Sequence, residues 1–183
     1  MQVGLTDPYR FFWSGGAFAL ERSLVGGLGL VGGEAPRTWD LALAMLRMRL
    51  TLGRAIRRVP LLDAYPRIFG GRRPAFEEWL AHPAAGDPYW KEFDLSSVAD
   101  TLDVPVSLCT GWWDLAPDQV IEQFTRLRAA GRDPDLLIGP WTHTSALEDG
   151  WDEIFAHHLL SVRPERPDPV DRRGVAVVHA GSA

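Results

Sequence analysis

Asp114 and His143 are the two residues whose types and surroundings could do chemistry together. Each comes shortly after an apolar run closed by turn-forming residues. Val104-Pro105-Val106-Ser107-Leu108-Cys109 leads into Thr110-Gly111, and Asp135-Leu136-Leu137-Ile138 leads into Gly139-Pro140. A carboxylate beside an imidazole can serve as the supporting half of a Ser-His-Asp triad. The carboxylate fixes the imidazole tautomer and stabilises the imidazolium, and the imidazole takes the proton of a nucleophile and returns it to the leaving group. Histidine suits the task because its ordinary pKa lies near neutrality. On types and spacing alone, however, an Asp and a His at strand ends are more often ordinary loop residues. A nucleophile is harder to place, because the elbow pattern Gly-x-Ser-x-Gly occurs nowhere in the 183 residues. Ser14, in Phe12-Trp13-Ser14-Gly15-Gly16, lacks the leading glycine and a preceding strand. Cys109 lies inside the run before Asp114 and reads as a small buried hydrophobe.

For Asp114 and His143 to meet, parallel strands must carry them to one sheet edge. The pattern supplies this. After the 104–109 run, Pro117 opens a helix at its first turn, where the missing N–H costs nothing. Val120, Ile121, Phe124 and Leu127 form its apolar stripe, and Gly131 closes it. The strand at 135–138 follows, then the loop with Trp141-Thr142-His143, then a helix marked by Trp151, Ile154, Phe155 and Leu159. Strand–helix alternation of this kind predicts a parallel sheet with right-handed crossovers, and such sheets bind ligands beyond the carboxyl ends of their strands. The earlier region has a different texture. A long helix at about 37–58 and a short one from Pro74 to Ala81 do not fit the strand–helix rhythm and read as an inserted helical cap. Residues 164–169 read as a linker, and Val175-Ala176-Val177-Val178 as a strand with no later strand to pair with, which suggests truncation.

The composition bounds the rest. Apolar residues are 46% and charged residues 23%, a globular balance. The net charge of −5 argues against nucleic acid as a partner. No apolar run approaches the roughly 18–20 residues of a membrane span. The start MQVGLTDPYR is not a signal peptide, and the expected setting is the cytoplasm. One cysteine excludes an internal disulfide, and no cluster suggests a metal; no cofactor is expected. His157 and His158, adjacent on a helix, make a poor metal pair, and His82 before Pro83 reads as a turn residue. Eight arginines between Arg47 and Arg73 read as a solvated helix face. Of the eight tryptophans, Trp112, Trp113 and Trp141 are expected to pack around Asp114 and His143 and exclude water. Trp39, Trp79, Trp90 and Trp151 are expected in core or cap packing.

Gly111-Trp112-Trp113-Asp114 and Gly139-Pro140-Trp141-Thr142-His143 closely resemble the acid and base motifs of the CocE/NonD family, which includes cocaine esterase-like enzymes, X-prolyl dipeptidyl peptidases, and acylases and esterases of amino-acid esters and β-lactam side chains. Thr6-Asp7-Pro8-Tyr9-Arg10 and Gly15-Gly16-Ala17-Phe18 resemble the segment these enzymes carry after the nucleophile elbow, where the cap begins. Trp79, His82-Pro83, Asp87 and Tyr89-Trp90 resemble the return from cap to sheet. Phe155, His158-Leu159 and the strand from Val175 resemble the passage into a C-terminal jelly roll.

The resemblance implies a partial α/β-hydrolase fold: a strand-end segment at 1–13, a helical cap at 14–95, the core with acid and base loops at 96–163, and a linker with the first jelly-roll strand at 164–183. The family's chain order of nucleophile, acid, base fits Asp114 before His143. It further implies a serine hydrolase working through an acyl-enzyme, with Asp114 as acid, His143 as base, and Trp13 and Leu115 against the substrate, an ester, an amide or a short peptide. The serine and the oxyanion donors would then belong to a missing N-terminal half of the domain, a partner this chain would need. The competing reading is a non-catalytic binding protein derived from the same fold.

Overall fold

The computed structural model describes residues 5–24, 38–55, 57, 59–69, 71, 74–161 and 175–178. The chain divides into two compact units: residues 8–93, and residues 1–7 with 94–183.

Among its described residues, the unit of residues 8–93 is helical with one small hairpin. Helix α1 (Pro8–Phe12) runs into strands β1 (Trp13–Ser14) and β2 (Ala17–Phe18), which pair antiparallel with Trp13 opposite Phe18. The two residues between them, Gly15 and Gly16, have φ of +60° and +83°. That is the double left-handed turn that matches strand twist and that glycine adopts without strain. Helix α2 (Thr38–Ala55) is the long helix foreseen from the sequence, and helix α4 (Pro74–Ala81) has the expected bounds. Between them a 3₁₀ turn (Leu61–Asp63) leads into α3 (Ala64–Phe69). Leu24, Tyr65, Ile68 and Phe76 form the buried centre, with Phe18, Leu20, Leu52, Trp79 and Leu80 packed against them. Helix α5 (Pro88–Lys91) is capped by Asp87, whose carboxylate accepts from the Tyr89 N–H at 2.9 Å.

His82, read from sequence as a turn residue, does more than turn. Its Nδ1 bonds the Asp87 carboxylate at 2.9 Å, its Nε2 faces Glu78 at 3.2 Å, and its ring stacks on Tyr89 at 4.3 Å. Both carboxylates can only accept, so the arrangement favours the doubly protonated imidazolium.

The second unit is a three-layer α/β arrangement. After the short helix α6 (Val98–Thr101) come β3 (Ser107–Trp113), α7 (Pro117–Ala129), β4 (Asp135–Thr142), α8 (Ser145–Glu148), α9 (Trp151–Ser161) and β5 (Val175–Val177). The strands pair in the order β3-β4-β5, all parallel. Side chains alternate across the sheet. Leu108, Leu136 and Ile138 pack with Val120 and Leu127 of α7 on one face. Cys109 and Leu137 pack with Trp141, Ala146 and Ile154 on the other. The sheet is therefore covered by helices on both faces, which is why its strands read as continuous apolar runs. Helix α7 ends as its sequence dictates. Gly131 at φ +76° lets its own N–H reach the Arg128 carbonyl at 3.0 Å and the Arg132 N–H reach the Leu127 carbonyl at 2.9 Å.

Several expectations are corrected. The first strand begins at Ser107, not Val104, because Pro105 has no N–H for the ladder. Both strands run past their glycines, to Trp113 and Thr142. Val175–Val177 is not unpaired: it lies beside β4, and the Val178 N–H bonds the Ile138 carbonyl at 2.9 Å. On α9, only Ile154 of the four marker residues is buried. Trp39 and Trp151 are exposed rather than packed. No helix among the described residues is long and apolar enough to cross a membrane.

Candidate active site

The two motif loops meet because their strands are neighbours in the sheet. Asp114 follows the last residue of β3, and its N–H turns back to the Gly111 carbonyl at 3.1 Å. His143 follows the last residue of β4. Between Gly111 and Trp113 the register shifts, so that Trp112 on β3 stands opposite Pro140 and Trp141 on β4. This bulge absorbs Pro140, which cannot donate to a regular ladder, and re-aims the strand end. The glycines make room for it. A Cβ on Gly111 would lie 2.0 Å from the Trp141 carbonyl oxygen, and Cβ atoms on Gly139 and Gly150 would strike the Trp141 indole. Trp141 is thus clamped, 4% exposed, directly before the His143 loop.

His143 Nδ1 and Asp114 Oδ1 are 3.0 Å apart. The Asp114 side chain is only 2% exposed, whereas that of His143 is 44% exposed. The Leu115 N–H donates to the same carboxylate oxygen at 2.6 Å, and the Thr110 hydroxyl stands 3.5 Å from the other. The carboxylate is therefore held from its own loop, while the imidazole side chain is partly open to solvent. The His143 loop is fastened by a reciprocal exchange. The Thr142 N–H donates to Ser145 Oγ at 2.9 Å, and the Ser145 N–H donates to Thr142 Oγ1 at 3.2 Å.

Sequence reasoning missed this exchange, which a Thr-x-x-Ser spacing could have signalled. It also missed Gln119. That buried side chain accepts from the Thr6 and Asp7 N–H groups at 3.0 and 2.9 Å and donates to the Asp7 carbonyl at 2.9 Å. It ties the segment at 5–7 to α7 much as a strand neighbour would.

The remaining candidates fall in different places. Leu115 is half-buried beside Asp114. Trp13 belongs to the other unit, where its indole N–H donates to the Trp79 carbonyl at 2.8 Å and its ring meets Phe18 edge-on. Trp112 and Trp113 are 50% and 66% exposed, so they do not enclose the Asp–His pair as expected; of the three neighbouring tryptophans only Trp141 is buried. Ser14 ends a strand of an exposed hairpin, not a strand-to-helix elbow. Cys109 is buried, and burial pushes its thiol up to about 11, which disfavours the thiolate a nucleophile needs. A second Ser–His contact, Ser107 Oγ to His158 Nδ1 at 2.6 Å, lies at the amino end of β3, away from the loops. Burial lowers the pKa of His158, favouring its neutral form. Among the described residues no cluster of three His, Cys, Asp or Glu is arranged to hold a metal ion.

A parallel α/β sheet with the Asp–His pair beyond the carboxyl ends of adjacent strands is a partial α/β-hydrolase-like fold. The family profile of the X-Pro dipeptidyl-peptidase (S15 family) matches residues 1–145, a span that includes both motif loops. No curated protein matches the chain. The chain belongs to the X-Pro dipeptidyl-peptidase (S15) family, whose chemistry is that of hydrolases of the serine peptidase and esterase type.

Proposed function

We propose that Asp114 and His143 are the acid and base of a Ser-His-Asp triad that hydrolyses ester or amide bonds through an acyl-enzyme, and that the serine comes from polypeptide outside these 183 residues. The observation that carries this reading is the 3.0 Å contact between His143 Nδ1 and a carboxylate that is itself almost fully buried. A buried carboxylate that accepts from Nδ1 leaves Nε2 as the basic nitrogen, the one a serine hydroxyl would address. Trp13 and Leu115 are assigned to contacts with the acyl or aryl part of the substrate, a small ester, an amide or an X-prolyl peptide. In the reaction the serine oxygen attacks the carbonyl carbon while His143 takes its proton. His143 then protonates the leaving alcohol or amine, and water repeats the sequence to release the acid.

The test is labelling with a fluorophosphonate probe. The 183-residue chain alone should remain unlabelled. Expressed with the reading frame upstream of Met1, or with a separate serine-bearing half, a serine should label, and His143→Ala should abolish the labelling. The absence of any Gly-x-Ser-x-Gly favours a second reading, a non-catalytic binding protein. It prevails if the upstream DNA encodes no elbow and no serine-bearing partner labels.

A further inference from the structure

His143 is held differently from its partner. Asp114 is fixed by burial and by bonds from the Leu115 N–H and the Thr110 hydroxyl, whereas the His143 side chain is 44% exposed. Among the described residues the imidazole has one hydrogen-bond partner, the Asp114 carboxylate. Packing does not fix so open a ring, so the direction of its Nδ1 depends on the backbone that carries it. That loop is tied at both ends. Trp141 and Ala146 are each 4% exposed and belong to one buried cluster.

The stretch between them, Thr142 to Ser145, is closed by its own side chains. The Thr142 N–H donates to Ser145 Oγ, the Ser145 N–H donates to Thr142 Oγ1, and the two hydroxyls are 3.1 Å apart. The pattern is that of a capping box, in which two side chains each satisfy the other residue's N–H. It is displaced from the usual place. Thr144, the residue before α8, is already helical at φ −83° and ψ −43° and makes no side-chain cap. The exchange therefore encloses His143 instead of only starting the helix.

We propose that Thr142 and Ser145 are positioning residues for the Asp–His pair: their exchange holds the His143 backbone so that Nδ1, not Nε2, meets Asp114. The inference rests on the reading of Asp114 and His143 as acid and base. A neutral imidazole that donates from Nδ1 to a carboxylate is fixed in the Nδ1–H tautomer, with Nε2 as the acceptor. Without the exchange the ring takes other directions, and the tautomer reverts toward the mixture of a free histidine.

The test reads that tautomer in the 183-residue chain by imidazole nitrogen NMR at about pH 9, where histidine is neutral. The His143 signals are those missing from His143→Ala. The unaltered chain should show the Nδ1–H form. Thr142→Val and Ser145→Ala each remove one acceptor and keep the side-chain shape, and both should shift His143 toward the free mixture. Thr142→Ser and Ser145→Thr keep the hydroxyl and should not. In a serine-bearing form of the enzyme, Thr142→Val and Ser145→Ala should lower kcat at least about tenfold with KM unchanged. An Nδ1–H form that survives both Thr142→Val and Ser145→Ala, even with a lowered Tm, overturns the proposal and reduces the exchange to a helix cap. Absence of that form from the unaltered chain overturns it together with the acid–base reading. Should one variant unfold the chain, the other decides. Unfolding by both also overturns the proposal, since the exchange would then hold the fold and not the ring.

Discussion

Asp114 and His143 differ most in exposure, and that difference sets what each substitution should do. Asp114→Asn preserves the shape of the acid but presents an amide to Nδ1, which no longer selects the tautomer. In a serine-bearing form of the enzyme it should lower kcat by about 10⁴-fold with little change in folding. His143→Ala should cost at least as much, and turnover of an activated ester or an X-prolyl anilide checks both. An unchanged rate in either variant removes that residue from the reaction.

The His82–Asp87 contact makes a second prediction. His82 is held above its ordinary 6.5, chiefly by its hydrogen bond to Asp87, and Asp87 is held below its ordinary 3.8, chiefly by the same bond. A raised histidine stabilises the fold fully below its unfolded value, and the benefit is lost as pH rises through the folded one. A lowered carboxylate stabilises above its unfolded value, and the benefit is lost as pH falls through the folded one. The contact is therefore strongest between about pH 4 and 6.5. Asp87→Asn keeps a capping acceptor but loses the charge. Its Tm deficit should be greatest in that window and shrink toward about pH 9; a deficit constant over that range counts against an ionic contact. At this scale Asp114 and His143 were legible as a pair because each stands just beyond an apolar run. The exposure of Trp112 and Trp113 was not, since which side chains are covered at a strand end depends on how far the flanking helices extend.

At the scale of elements, the helices announced themselves and the strand ends did not. Pro117, the apolar stripe of α7 and Gly131 fixed that helix locally, because capping and amphipathicity are properties of contiguous sequence. The strands continued through Gly111 and Gly139-Pro140, residues that usually end a strand, because a bulge accommodated them and Trp141 filled the space beside the glycines. Gly111→Ala should therefore lower unfolding free energy by about 1–3 kcal/mol in urea titration, since a methyl there meets backbone that cannot move aside without shifting the strand. Gln119→Leu should cost about 1–3 kcal/mol for each buried backbone group it leaves unpaired, and proteolysis near residues 5–7 should quicken. Retention of full stability would mean that water replaces the side chain without loss. The Gln119 bracket could not be read beforehand, because its partners lie more than a hundred positions away.

At the scale of the whole molecule, Cys109 reports on global opening. It lies in the sheet, buried, with its thiol pushed up to about 11. At mildly alkaline pH the native chain should resist thiol reagents, and reactivity should rise along the same urea curve that unfolds the sheet; rapid labelling of the native chain would contradict this burial. The sequence by itself determined the α/β class, the helices α2, α4 and α7, and the place of Asp114 and His143 just past the ends of two strands. These follow from hydrophobic period, caps and motif spacing, which are local. Only the tertiary structure decided that the two loops lie 3.0 Å apart, that Val175–Val177 completes a parallel sheet beside β4, and which tryptophans are covered. These depend on register, on a bulge and on contacts between residues distant in the chain. Their free energies are set by which surfaces come together, and no window of sequence contains both partners.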